Sequence, residues 1–460
     1  MKRGSIFELN GIPKFQEALP LALQHVVAMI VGCVTPAIIV AGAVGGDGLR
    51  AKDRVILIQA SLVVSALSTL LQLFPIGKKK GFTLGSGLPM IMGVSFAYVP
   101  SMQAIAEGYG ISTILGAQIV GGIVAIIMGL LVKKIRAFFP PLITGTVVFT
   151  IGLSLYPTAI NYMAGGTSNS DYGSWQNWLV SLVTLAIVIG LNHYGKGLFK
   201  LASILIGLVC GYVLALCFGM VDFSALSNAG WFQLPQPFAF GVKFDISAII
   251  PLAILFLVNS IQAMGDFSAT TSGGMDRLPT DQELNGGIIG YGISNIVSAC
   301  FGCPPTATYS QNVGIVGSTK VVARKVFSLS AFILLIAGLI PKFSALLRTI
   351  PQCVLGGAVA SVFAGIAMTG IKLLVSEGMS TRNTTVAGLS IAIGMGVSLS
   401  NGCLNQMTST IYDGLGMTMG LENFQSIINN TFASSPVVLA TIFAVILNLV
   451  LPKDPKPEAK

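Results

Sequence analysis

Apolar stretches follow one another along the whole chain, at about 18–45, 55–76, 83–100, 112–132, 138–156, 177–193, 199–219, 246–272, 283–302, 307–319, 325–342, 352–371, 384–400 and 434–451. Short polar runs separate them. Most have the ~18 or more apolar residues that a helix needs to cross a bilayer. The pattern predicts an all-α polytopic membrane protein of fourteen segments. Two of these break the rhythm. The third, "FTLGSGLPMIMGVSFAYVP", and the tenth, "CFGCPPTATYSQNVGIVGS", are short and interrupted by Gly and Pro. They lie seven segments apart, an odd number, so the halves they belong to face opposite ways across the membrane. Paired interruptions at corresponding places in two halves predict a 7+7 inverted repeat with a ligand site at the breaks. Segments one and eight also correspond: each is long, begins near a proline (Pro20, Pro251) and carries polar residues halfway along.

Composition agrees. Of 460 residues 53% are hydrophobic and only 9% charged, with a mean hydropathy of +0.82; a soluble protein carries about 25% charged residues. The net charge of +9 would suggest nucleic acid in a soluble chain. Here Lys and Arg gather in alternate loops and set topology, so no nucleic-acid partner is expected. With the N-terminus inside, the cytoplasmic loops hold Lys78, Lys79 and Lys80, then Lys133, Lys134 and Arg136, then Lys196 and Lys200, then Lys320, Arg324 and Lys325, then Lys372 and Arg382. The tail adds Lys453, Lys456 and Lys460. One loop dissents, placing Arg50, Lys52 and Arg54 outside. Both termini are therefore expected in the cytoplasm, the chain sitting as a multi-pass protein in the cytoplasmic membrane. The opening "MKRGSIFELNGIPKFQ" reads as a cytoplasmic lead-in and not a cleaved signal. No separate soluble domain is expected.

Several chemistries lack their residues. Cys300 and Cys303 form a lone CxxC with no second pair, so neither a metal nor a cofactor is expected. His25 and His193, 168 positions apart (193 − 25), have no carboxylate cluster to make an enzyme site. An anion exchanger would favour a basic residue near the broken segments, and none occurs in either before Lys320.

What remains is the polar content at mid-membrane. Broken backbone there survives only where protein or a wet cavity covers it, and a half-helix start offers free N–H groups to a ligand. In "PPTATYSQNVGIVGSTK", residues 304–320, Pro304 and Pro305 stop the preceding element and a half-helix can start near Ser310 or Gln311. Gln311 and Asn312 then stand at its mouth, where amides offer both donors and acceptors to a neutral heterocycle; capping the half-helix is the plainer use for either. Asp266 is a carboxyl inside segment eight, functional by default, though bonding the broken backbone of segment ten is a structural alternative. His25 can titrate or serve as a hydrogen-bond strut.

"QNVGIVGSTK" resembles the signature of the nucleobase–ascorbate transporter family, also called nucleobase:cation symporter-2, met by Gln311, Asn312, Gly314, Thr319 and Lys320. "LALQHVVAM" around His25, "GVSFAYV" (93–99) and "NSIQAMGDFSAT" (259–270) resemble the family's segments one, three and eight, so the likeness covers nearly the whole chain. It implies a core of segments 1–4 (about 18–132) and 8–11 (about 246–342), and a gate of segments 5–7 (about 138–219) and 12–14 (about 352–451). The two move by an elevator-like motion, often in a homodimer. It implies a secondary transporter and not an enzyme: a purine nucleobase importer, Gln311 resembling the xanthine and urate branch, coupled to a proton. Gln311 would be the main substrate ligand with Asn312 in support. Phe96 would stack on the base, and the N–H near Ala97 would bind an exocyclic oxygen. Gly314 and Thr319 would be structural.

Two positions depart from the family pattern. Gln262 stands where a substrate-binding Glu is usual, and Tyr291 where an Asp is common. Asp266, four residues after Gln262 on the same helical face, is left as the proton carrier; sodium coupling or uncoupled facilitation also fits these neutral replacements.

Overall fold

In hydrocarbon every backbone N–H and C=O must find a partner inside its own segment, so long uncharged runs fold as helices. The computed structural model describes residues 5–44, 49–77, 83–132, 140–167, 169–227, 229–400, 402–415 and 421–452. Lys78, Lys79, Lys80, Lys133, Lys134, Arg136, Lys453, Lys456 and Lys460 lie outside these. Among the described residues the α-helices of eight residues or more are α1 (Phe15–Gly42), α2 (Ala51–Leu73), α3 (Val99–Tyr109), α4 (Ile111–Leu130), α5 (Pro141–Met163), α6 (Trp175–Tyr194), α7 (Ser203–Cys217), α8 (Ile246–Met275) and α9 (Asp281–Cys300). They continue with α10 (Ser310–Thr319), α11 (Arg324–Leu339), α12 (Pro341–Arg348), α13 (Gln352–Ser376), α14 (Thr381–Leu399), α15 (Asn405–Leu415), α16 (Leu421–Ile428) and α17 (Pro436–Val450). Among the described residues seven are long and apolar enough to cross a membrane: α1, most of α2, α4, α5, α6, α8 and α13. An eighth crossing comes from α11 and α12 if that pair, bent by 83°, is one span.

Among the described residues one pair of strands stands amid the helices. β1 (Met92–Val94) and β2 (Thr306–Thr308) pair antiparallel, Met92 opposite Thr308 and Val94 opposite Thr306. Two differences from the sequence pattern accompany it. The third segment was expected to end near 100, yet α3 runs to Tyr109, because polar Gln103 and Glu107 hide a helix that the hydropathy pattern reads as loop. Outside every apolar stretch lie the short amphipathic helices α15 and α16 and a π-helical turn, Asn429–Ala433.

Helices α1, α2, α4, α8, α9, α10 and α11 pack chiefly on one another, and α5, α6, α7, α13, α14 and α17 do likewise. Small residues allow close crossings, as is usual between membrane helices. A Cβ on Gly122 of α4 would lie 2.7 Å from Ile296 Cγ1 and 2.8 Å from the Gly292 carbonyl, both of α9, so only a glycine fits this close approach of the two helices.

Candidate functional site

Each strand leads straight into a helix: β1 into a 3₁₀ turn, Phe96–Tyr98, and then α3, and β2 into α10. The ladder extends one bond at either end, Ser95 N–H to the Pro305 carbonyl at 2.9 Å and Tyr309 N–H to the Ile91 carbonyl at 3.0 Å. Because the strands are antiparallel, the two helix starts stand at opposite ends of the ladder. Four steps of strand rise put their N-cap residues, Ser95 and Tyr309, about 13 Å apart.

Two flanking helices close the outer edges of this pair. On α9, Asn295 takes the Thr306 N–H on its Oδ1 at 2.8 Å, and its Nδ2 donates to the carbonyls of Thr306 at 3.0 Å and Tyr291 at 2.9 Å. On α2, Thr69 Oγ1 accepts from the Met92 N–H at 2.9 Å and donates to the Met92 carbonyl at 3.3 Å. A sheet edge that would be intolerable in a membrane is thus paired by side chains. Behind it, the Tyr309 ring lies over Gly93 and its hydroxyl donates to the Val94 carbonyl at 2.9 Å. A Cβ at Gly93 would occupy the space of that ring.

The half-helix α10 has no side-chain N-cap. Among the described residues the N–H groups of Ser310 and Gln311 find no acceptor. Gln311 is exposed, Gln262 on α8 half-buried, and neither amide is hydrogen-bonded within the described protein. One helical turn past Gln262, about 6 Å along the axis, buried Asp266 binds α10 directly. Its Oδ2 accepts from Thr308 Oγ1 at 2.5 Å and its Oδ1 from Ser310 Oγ at 2.8 Å. The carboxylate therefore ties the start of the half-helix, next to Gln311, to α8 one turn from Gln262. Gly314 and Ser318 continue the exposed face of α10 beyond Gln311, and a Cβ on Gly314 would meet only open space.

Asn312 turns the other way. It is buried, and its Nδ2 donates to His25 Nδ1 at 3.0 Å and to the His25 carbonyl at 3.3 Å. A carbonyl accepts only, so the amide nitrogen must be the atom placed here, and His25 Nδ1 must be the unprotonated ring nitrogen. His25 packs on Phe327 of α11, ring centroids 4.5 Å apart. Asn312 and His25 thus form a strut behind Gln311. Thr319 closes the other end of α10: its hydroxyl donates to the Ile315 carbonyl at 2.8 Å and accepts from the Val321 N–H at 3.3 Å.

In the other half, Phe96 is buried against Phe363 of α13 in an edge-to-face contact, centroids 5.1 Å apart. The Ala97 N–H, expected to serve a ligand, is held by Ser95 Oγ at 3.2 Å. Tyr291 is wholly buried and its hydroxyl is hydrogen-bonded to that of Tyr98. Sequence reading passed over Asn295, Thr69, Thr308, Ser310, Tyr98 and Phe363. Thr308 and Ser310 flank the motif, and a polar residue one turn after Tyr291 was a usable sign of Asn295. Nothing local marks Phe363.

A family model described as a permease family matches residues 16–402. Xanthine permease XanQ of Escherichia coli (strain K12) is 31% identical over 464 residues, covering 97% of this chain and 94% of the relative. Uric acid permease PucJ of Bacillus subtilis (strain 168) is 35% identical over 399 residues, 85% of this chain and 87% of the relative. In fold, the chain is similar to the transmembrane domain of a cyanobacterium bicarbonate transporter, BicA. The TM-score is 0.58 and the identity 18%, covering 81% of this chain and 94% of that one. Murine Slc26a9, an anion transporter in the inward-facing state, gives a TM-score of 0.62 at 10% identity, covering 95% of this chain and 68% of that one.

Proposed function

The chain belongs to the permease family, the nucleobase–ascorbate transporters that its motif resembles, and from its membership as a multi-pass membrane protein we propose that it imports a purine nucleobase, xanthine or urate. The observation that carries this reading is the Asp266 tie between α8 and α10, from which we place the unbonded amides of Gln262 and Gln311 at one opening. A purine edge alternates N–H and C=O groups, and an amide answers both with one side chain. The free N–H groups of Ser310 and Gln311 suit an exocyclic oxygen, assisted by the positive end of the helix. Phe96 supplies a flat apolar wall for stacking. Ala97, with its N–H already taken, contributes small size and room for the exocyclic C8 oxygen of urate. The names of the similar permeases point to the same substrates.

Coupling is assigned to Asp266, which takes a proton from the medium and releases it inside. Tyr291 and Gln262 carry no charge to share that task. A sodium-coupled or uncoupled carrier is the second reading, favoured by those same neutral positions. The fourteen-segment, 7+7 arrangement is supported by the order of elements. In each half a long helix and a second helix precede a strand with a short helix, followed by further helices. The two sets of helices that pack among themselves correspond to a moving core and a gate, with the Phe96–Phe363 contact between them. An elevator-like motion of that core, a homodimer, and cytoplasmic termini in the inner membrane complete the proposal.

The test is uptake of labelled xanthine and urate in a transport-deficient host. Gln311→Ala leaves polar atoms of the base unpaired, at about 2–3 kcal/mol, so apparent affinity falls roughly 30- to 140-fold. Wild-type uptake by that variant would overturn the site.

A further inference from the structure

On the outer face of the molecule, α2 and α11 leave between them a groove of about 570 Å³ lined by Leu67, Leu70, Leu71, Phe74, Ile76, Lys325, Ser328 and Phe332. Its apolar rim is unusually open: Leu67, Phe74, Ile76 and Phe332 are all 42–61% exposed. Leu67 to Phe74 on one helix, and Lys325 to Phe332 on the other, each span seven residues, so the groove runs about 10 Å along the helices. The one hydroxyl in it, Ser328 Oγ, is spent on the Lys325 carbonyl at 3.0 Å. The floor therefore offers nothing to a polar ligand and suits a hydrocarbon chain.

The mouth is different. Lys325 stands there exposed, and among the described residues no carboxylate pairs with it. The neighbouring Lys320 is answered by Asp276 at 3.3 Å and Arg324 is held by Asn10 and the Gly87 carbonyl, so Lys325 alone of the three is unspent. An apolar slot about ten ångströms long, ending at a free ammonium, matches one chemistry: an acyl chain joined to an anionic phosphate headgroup. We propose that this groove is a binding site for one anionic phospholipid per protomer, its phosphate on Lys325 and the upper part of one acyl chain between α2 and α11. The site is distinct from the amide opening and does not depend on the substrate reading. A bound lipid would bridge α2 and α11, which respectively hold β1 through Thr69 and flank His25 through Phe327, and would stiffen the supports of both half-helices.

The experiment is native mass spectrometry on the purified full chain, titrated with phosphatidylglycerol, with phosphatidylcholine of the same acyl chains, and with inorganic phosphate. One phosphatidylglycerol per protomer is expected to be retained in preference to phosphatidylcholine. Lys325→Gln lowers that retention roughly fivefold, the worth of one basic residue near a charged lipid, and Lys325→Arg restores it. Leu67→Trp, which fills the groove and leaves the charge, lowers retention of the same lipid. Size-exclusion elution and the melting temperature without added lipid establish that each variant is folded. Equal retention of the two lipids overturns the proposal, as does unaltered retention in Lys325→Gln. Displacement of phosphatidylglycerol by inorganic phosphate alone also overturns it, because the site then reads an anion and not a lipid. A stable copy of the chain covering the groove overturns it as well.

Discussion

Replacing Asp266 by Asn separates the two tasks assigned to that carboxylate. As a structural tie it accepts two hydroxyl hydrogen bonds, from Thr308 at 2.5 Å and Ser310 at 2.8 Å. Asn has nearly the same shape: its Oδ1 accepts from one hydroxyl and its amide donates to the other, once that hydroxyl has turned. Exchanging two charge-assisted bonds for two neutral ones costs about 1 kcal/mol each. The variant therefore loses at most about 2 kcal/mol, partly offset because no charge has to be kept out of water. It should remain folded and retain purine binding within a few fold. Its coupling should vanish. A pH difference of one unit is worth about 1.4 kcal/mol per proton, so a carrier moving one proton per base accumulates substrate roughly tenfold. In proteoliposomes with an imposed one-unit gradient, wild type should reach that ratio, while Asp266→Asn should only equilibrate. Parallel runs with a sodium gradient separate the two coupling readings. Tenfold accumulation persisting in Asp266→Asn would refute the assignment of the proton to this residue.

Two further outcomes follow from the geometry. Gln262→Glu puts a titrating carboxyl beside the substrate opening, so its uptake rate against pH should show a step that wild type lacks; superimposable profiles would remove Gln262 from the site. Asn295→Leu strips the Thr306 backbone of both its hydrogen bonds to that side chain and leaves Tyr291's carbonyl with one bond fewer. At about 1–3 kcal/mol for each buried group left unpaired, it should lower thermal stability in detergent more than Gln311→Ala does, and a melt no lower than that of Gln311→Ala would count against the clamp.

Much of the site could be read from local pattern. Pro304 and Pro305 announce a break because neither can donate a backbone hydrogen bond, and the amides after them announce a use for it. The four-residue spacing of Gln262 and Asp266 places both on one face of any helix. Harder to read were elements whose polarity disguised them: α3, with Glu107 in its last turn, and the amphipathic pair α15 and α16.

The amino-acid sequence alone therefore determines the membrane class, the two interrupted segments, the motif at residues 311–320 and the shortage of acidic groups at mid-membrane. Those are matters of hydropathy and short-range spacing, which a chain displays whatever its fold. Only the tertiary structure decides that β1 pairs with a strand more than two hundred residues away, and that Asp266 spends both oxygens on Thr308 and Ser310. It also decides that Asn312 faces His25 while its neighbour Gln311 is exposed. Adjacent residues at a helix start point about 100° apart, so a Gln–Asn pair cannot serve one ligand equally. Which of the two is spent on the protein depends on what α1 presents behind it, and that is His25.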